Sequence, residues 1–181
     1  MHTEESIEQS LAKAIRDIKD FPKPGVIFKD ITPILKDPKL CKRVLDSFLQ
    51  FCEGKQIDVV VGLEARGFLF GFMLAQQLNV PFVPIRKQGK LPYATRSKTY
   101  QLEYGEATIE MHEDAFEPGA KVLIHDDLLA TGGTVAAASE LIEEMGGEVV
   151  GFTFLVDLAF LGGINRIDSS EVPVCALLRI S

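Results

Sequence analysis

A chain of 181 residues, 46% of them hydrophobic, suits one domain of about 100 to 200 residues with a sizeable core and room for a small appendage. Its formal net charge of -7 argues against a nucleic-acid binder relying on overall positive charge, so small polar substrates are the better expectation. Three cysteines, Cys41, Cys52 and Cys175, are odd in number and set among apolar neighbours, which reads as buried reduced thiols in a reducing cytosol.

Met1 to Ser10 lacks the basic and apolar blocks of a signal peptide. From Ser6 to Lys19, Ile7, Leu11, Ala14, Ile15 and Ile18 mark one face of an amphipathic helix. Phe21 to Pro33, with three prolines and a glycine around Val26, Ile27 and Phe28, reads as an irregular apolar loop, either a lid or a stiff crossing of the core surface. Asp37 then caps a helix with Pro38 at its first position and a buried stripe of Leu40, Val44, Leu45, Phe48 and Phe51. Ile57 to Leu63 is a sheet-centre strand. The turn Glu64-Ala65-Arg66-Gly67 leads from it into a helix running to about Leu78. Arg66 offers a planar fork suited to phosphate oxygens, although an isolated arginine also serves as a surface ion-pair residue. The apolar stretch Gly67 to Ala75 is far below the ~20 residues needed to cross a bilayer, and no membrane contact is expected.

Val80 to Ile85 is the third strand. After it, Arg86, Lys87, Lys90, Arg96 and Lys98 place five positive charges in thirteen residues, in a run that is either a solvated face or a loop for an anionic substrate. Tyr100, Leu102 and Tyr104, then Ala107, Ile109 and Met111, alternate about Gly105 as a hairpin.

The stretch Val122 to Gly147 carries the chemistry. Val122, Leu123 and Ile124 form a buried strand that Asp126 and Asp127 end, and two adjacent carboxylates that lose hydration on burial belong at the strand's C-terminal edge. Thr131, Gly132, Gly133 and Thr134 then supply a glycine turn with hydroxyls and free amides at a helix start, which suits a phosphate. Val135, Ala138, Leu141, Ile142 and Met145 recur at helical spacing before Gly146 and Gly147. Acids beside a phosphate cradle face something other than the phosphate, and vicinal ribose hydroxyls fit them. The pattern lacks the lysine of a P-loop, and no GxGxxG is present. A solvated strand end with a glycine-rich turn is the plainer alternative. Val149 to Val156 is a strand ending at Asp157 and Leu158, and Val174 to Ile180 is the last strand. His2, His112 and His125 show no ligand spacing, so no protein-held metal is expected.

The thirteen residues VLIHDDLLATGGT, Val122 to Thr134, resemble the ribose-phosphate motif of type I phosphoribosyltransferases and are closest to its adenine-specific form. His125 departs from the apolar residue usual there, and its side chain should point away from the ligand. Three further segments carry the likeness: the hood segment from Phe21 to Pro33, the pyrophosphate loop LEARG and the adenine-specific loop LEYGEA.

The resemblance implies an α/β fold of the type I phosphoribosyltransferase kind. A central parallel β-sheet would be flanked by helices, with the Asp126 strand near its middle. One domain, 1–181, would carry a small hood from about 21–35 and a flexible catalytic loop from about 86–106. It implies a pentosyltransferase of purine salvage that transfers the ribosyl 5-phosphate of phosphoribosyl diphosphate to adenine, giving AMP and diphosphate. By the same resemblance, Asp126, Asp127, Ala130, Thr131, Gly132, Gly133 and Thr134 hold the ribose phosphate. Glu64, Ala65, Arg66, Arg86, Lys87 and Lys90 hold the diphosphate, across a Glu64-Ala65 peptide that is often cis. Main-chain groups of Ile27 and Lys29 bond the adenine edge, with the ring between Phe28 and Leu158. Glu103, Arg66 and Arg86 are the catalytic candidates. Magnesium would arrive with the diphosphate, keeping several waters, and the active form would be a cytoplasmic homodimer with no nucleic-acid or membrane partner. A nucleotide-sensing regulatory protein of the same fold, or a transferase for another purine such as xanthine, are the alternatives.

Overall fold

The structure is a computed structural model in which residues 5–101, 105–167 and 171–181 are described. Helix α1 (Ile7–Ala14) opens on a capping box. The Ser6 hydroxyl accepts from the Gln9 amide, and the Gln9 side chain returns the contact to the Ser6 amide, which satisfies two of the free donors of the first turn. The helix stops at Ala14 rather than running to Lys19. Strand β1 (Arg16–Lys19) follows and pairs antiparallel with β2 (Ile27–Asp30), with Ile18 opposite Phe28. Ile15 and Ile18 fit a helical stripe by spacing, but their segment gains a backbone partner that local periodicity cannot reveal. The expected irregular loop is likewise partly ordered, as β2 and the short helix α2 (Thr32–Leu35).

Helix α3 (Pro38–Cys52) follows the expected pattern. Asp37 accepts from the amides of Lys39 and Leu40 at 2.9 and 3.1 Å, and the missing N–H of Pro38 costs nothing at that position. Leu40, Val44, Leu45 and Phe48 are buried, each removing about 1.5 to 3 kcal/mol worth of apolar surface from water, whereas Phe51 is half-buried and Cys52 takes the last buried position.

Strands β3 (Val59–Leu63), β4 (Phe82–Lys87), β5 (Thr95–Gln101), β6 (Glu106–His112), β7 (Lys121–Leu129), β8 (Glu148–Leu158) and β9 (Val174–Ile180) form one sheet in the order β5-β6-β4-β3-β7-β8-β9. The run β4-β3-β7-β8-β9 is parallel and the hairpin β5-β6 joins it antiparallel to β4. β7 is therefore the middle strand of the parallel part, as expected for the strand bearing Asp126. Helix α4 (Gly67–Leu78) connects β3 to β4, and α5 (Gly133–Glu144) connects β7 to β8.

The apolar residues fall into two groups. One, around Val61, Ile124, Leu141 and Phe154, includes the inner face of α5; the other, around Phe48, Phe70, Leu123 and Leu155, lies with α3 and α4. All three cysteines are free. Among the described residues no helix is long and apolar enough to cross a membrane.

Candidate active site

Parallel neighbours leave the sheet by the same edge, so the turns after β3 and β7 lie side by side where open α/β sheets bind ligands. In the first turn the Glu64-Ala65 peptide is cis. Arg66 follows at the start of α4. Its Nε lies 2.9 Å from Oδ2 of Asp127, its guanidinium carbon lies 4.8 Å from the Phe28 ring centre, and its terminal nitrogen lies 3.5 Å from the Lys29 carbonyl. One planar cation thus joins the hood to the acids of β7. Because alternate residues of a strand turn their backbone groups the same way, the Ile27 carbonyl shares the direction of the Lys29 carbonyl that meets Arg66. The Lys29 side chain turns elsewhere, forming an ion pair with Asp17 at 2.7 Å.

Asp126 and Asp127 do not end their strand at the solvent edge. β7 continues to Leu129, paired with β8 through Leu128 and Leu129, and Asp127 is buried. The Arg66 charge and the continuing parallel ladder make this burial tolerable where sequence reasoning expected hydration. Burial, and then repulsion from Asp127, hold the Asp126 carboxyl well above the usual carboxylate range. Burial raises Asp127 as well, against the pull of Arg66. Oδ1 of Asp126 accepts the Asp127 amide at 2.8 Å, whereas the buried Oδ2 of Asp127 has the Arg66 ion pair as its partner among the described residues. Gly67 is needed here, because a Cβ on it would stand 2.9 Å from the His125 carbonyl and 3.0 Å from Oδ1 of Asp126.

Ala130 and Thr131 lead from β7 to Gly132, which has φ +78° and precedes α5 with no side-chain cap on the helix. The first-turn amides of α5 are therefore not claimed by a capping side chain, which is the arrangement that receives an anion. A Cβ on Gly132 would lie 2.4 Å from the Gly163 carbonyl, and one on Gly163 would lie 2.2 Å from the Ala130 carbonyl. The turn is braced by backbone packed on backbone. Gly163 opens a 3-10 turn (Gly163–Arg166) and is a site residue that no motif announced. The Thr134 hydroxyl meets the Tyr100 hydroxyl at 2.8 Å.

The basic run divides. Arg86 lies at the end of β4, with its Nε 2.9 Å from Glu64, so it braces the first turn from the neighbouring strand. Lys87 ends β4, and the Lys90 amide, with that of Leu91, donates to the buried Glu110 at 2.9 Å. Burial raises the Glu110 carboxyl, but amides of Leu91, Gly89 and Lys90 outweigh it and leave the group below its usual range. Arg96 and Lys98 are not a reserve of free charge. Arg96 pairs with Glu113 at 3.2 Å, and Lys98 with Glu140 and Glu144 at 2.7 and 2.6 Å. Both lie on β5, and Glu140 and Glu144 stand one turn apart on α5, so Lys98 reaches both.

His125 turns into the core as expected. Its Nδ1 lies 2.9 Å from the Thr153 hydroxyl, its ring stands edge-on to Phe48 at 5.2 Å, and burial pushes its pKa down to about 3. Leu158, the last residue of β8, is 8% exposed. Glu103 lies outside the described residues. Among the described residues no group of three His, Cys, Asp or Glu is placed to hold a metal ion.

Comparison with known proteins agrees with this geometry. Residues 32–161 match the family model for the phosphoribosyl transferase domain. The chain is 50% identical over 177 residues to the adenine phosphoribosyltransferase of Cytophaga hutchinsonii, covering 98% of this chain and 96% of that protein. It superposes on the adenine phosphoribosyltransferase of Rhodothermus marinus with a TM-score of 0.92 and 51% identity, covering 96% and 98% of the two chains. The Saccharomyces cerevisiae enzyme, crystallised with an imino-altritol bisphosphate and adenine, matches with a TM-score of 0.89 and 40% identity over 95% of this chain and 98% of that one. The chain accordingly belongs to the phosphoribosyltransferase family, in its adenine phosphoribosyltransferase group.

Proposed function

We propose that this chain transfers the 5-phosphoribosyl group of phosphoribosyl diphosphate to adenine, forming AMP and diphosphate, at the sheet edge between the turns after β3 and β7. The observation that carries the reading is the reach of Arg66 to Phe28, the Lys29 carbonyl and Asp127, which ties a base site, a ribose site and a diphosphate turn into one pocket edge. In the reaction the bond from the ribose C1′ to the diphosphate oxygen breaks and a bond to an adenine ring nitrogen forms, with positive charge on the ribose between the two, while the proton of that ring N–H is released to a diphosphate oxygen or to water. Asp126 and Asp127 accept the ribose hydroxyls and stabilise that charge. The first-turn amides of α5 and the hydroxyls of Thr131 and Thr134 hold the 5-phosphate. The amides of Glu64 to Arg66 and the cations Arg66, Arg86, Lys87 and Lys90 receive the leaving diphosphate. Phe28 and Leu158 take the two faces of the base, and the likeness of LEYGEA assigns Glu103 beside it. No side chain of this chain is assigned to magnesium, which would be held by diphosphate oxygens and water and would offset charge on the leaving group.

We infer a homodimer as well. Leu69, Phe72 and Met73, at positions i, i+3 and i+4 of α4, are 42%, 52% and 37% exposed, an apolar stripe suited to a second copy beside the diphosphate turn. Sedimentation of a fully active monomer would remove this inference. A cytoplasmic setting suits the three free cysteines.

Base choice tests the reading. Adenine offers an amino donor and a ring-nitrogen acceptor side by side, where hypoxanthine and guanine offer a carbonyl and an N–H. A backbone carbonyl and amide at Ile27 and Lys29 oppose both groups of the wrong base at roughly 1 to 3 kcal/mol each, so discrimination is at least about a hundredfold. Adenine, hypoxanthine, guanine and xanthine, each offered with phosphoribosyl diphosphate and magnesium, should give turnover with adenine. Lys29→Ala should keep that preference, because the Lys29 side chain is engaged with Asp17. Hypoxanthine used within tenfold of adenine would refute the base site, and no turnover with any base would refute the transferase.

A further inference from the structure

Tyr100 stands on β5, and its hydroxyl meets that of Thr134, the second residue of α5, at 2.8 Å. Two other contacts fix this approach. The Tyr100 ring lies 3.5 Å from the position a Cβ on Gly133 would take, so the phenol is seated against the first turn of the helix. Lys98, two residues earlier on β5, anchors the strand farther along α5 through Glu140 and Glu144. The hairpin is thus attached to the helix whose N-terminus forms the phosphate loop.

A threonine hydroxyl has one proton and two lone pairs, and as a β-branched residue it has few favoured side-chain rotamers. Without the phenol, the Thr134 hydroxyl would be free to turn back to the helix's own carbonyls. With it, the direction of the proton is set once a phosphate dianion is bound. The Thr134 O–H donates to the phosphate, the Tyr100 O–H donates to the Thr134 oxygen, and each bond polarises the next.

Resting on the ribose-phosphate site proposed above, we propose that Tyr100 is a positioning residue for that site, acting through Thr134 to aim its hydroxyl at the 5-phosphate. The phenol itself does not touch substrate. Its contribution belongs to binding of the phosphate, in ground and transition states alike, so it appears in KM for phosphoribosyl diphosphate rather than in kcat.

Tyr100→Phe keeps the ring against Gly133 and removes only the hydroxyl. One neutral hydrogen bond corresponds to about a 3- to 10-fold change. The variant should raise KM for phosphoribosyl diphosphate by that factor, leave kcat and KM for adenine within about twofold, and weaken calorimetric binding of ribose 5-phosphate in proportion. Thr134→Val should cost at least as much, Thr134→Ser should lose measurably less than Thr134→Val, and Tyr100→Phe combined with Thr134→Val should be no worse than Thr134→Val by itself. An unchanged KM in Tyr100→Phe, a loss in kcat instead, or a double variant whose defect is the product of the two single ones would overturn the proposal. Should Tyr100→Phe fail to fold, the Thr134→Ser and Thr134→Val pair decides: equal binding of ribose 5-phosphate by the two would leave no aimed hydroxyl and would overturn it. Failure of the wild-type protein to make AMP would refute the transferase, while the ribose 5-phosphate titrations would still judge the role of Tyr100.

Discussion

The turns after β3 and β7 are neighbours at one sheet edge, yet they are built from different materials. The turn after β7 is made of backbone: a left-handed Gly132, the Gly163 and Ala130 carbonyls at close quarters, and uncapped helix amides. The turn after β3 is made of charge, with Glu64 held by Arg86 and Arg66 held by Asp127. The difference follows from their assigned ligands. A phosphate that stays bound throughout a reaction is served by amides that cannot move, whereas a leaving diphosphate is served by long cations that can exchange partners as charge develops.

The backbone turn should break most sharply. Gly132→Ala sets a Cβ at 2.4 Å from the Gly163 carbonyl at φ +78°, so kcat/KM should fall by more than about a hundredfold, whereas Gly133→Ala meets its neighbours at 3.5 Å and should lose less than about threefold. Equal losses in the two would show that flexibility, and not space, is what the glycines supply.

The acids between the turns come next. Asp126→Asn and Asp127→Asn should each lower kcat by more than about tenfold, by removing an acceptor proposed to face the charged ribose. Their effects on folding should differ from those on rate. A carboxyl whose folded pKa is raised destabilises the protein above that pKa and relieves the cost as pH falls through it, so Asp126→Asn should raise the melting temperature at neutral pH, by about 2 to 4 °C for each kcal/mol relieved. Wild-type turnover in either variant would sink the assignment, and a lowered melting temperature in Asp126→Asn would sink the electrostatic argument.

The smallest effect on rate is expected at His125, one residue from the acids and facing the core. Its folded pKa is depressed to about 3 while the unfolded chain protonates near 6.5, so protonation favours unfolding as pH falls between those values, at roughly 1.4 kcal/mol per pH unit. His125→Val should remove much of the wild-type loss of stability between pH 6.5 and 5, as measured by denaturant titration, with kcat/KM at pH 7 within about twofold.

Most of the frame was readable because its elements bury regular stripes. The α3 pattern, the run Val122 to Ile124 and the strand Val174 to Ile180 each match an observed element. What escaped depends on distant partners. Ile15 and Ile18 continue a helical spacing, but β1 exists because β2 pairs with it. The acids were recognised as a pair, but their burial depends on Arg66, sixty residues earlier in the chain. Tyr100 and Gly163 carry no motif, and their parts in the phosphate turn come from hydroxyl and carbonyl contacts that only the folded chain brings together. Arg96 and Lys98 read as loop charge because Glu113, Glu140 and Glu144 were not known to face them.

The hood has a consequence of its own. β1 and β2 form a separate two-stranded sheet that shares no ladder with the seven-stranded one. On the proposed reading, the edge of the base is read by this small sheet, while Leu158 of the large sheet supplies only one apolar face. Residues 16–30 could therefore be exchanged for another hairpin without disturbing one ladder hydrogen bond of the large sheet, which makes the proposed edge reader of the base a separable part.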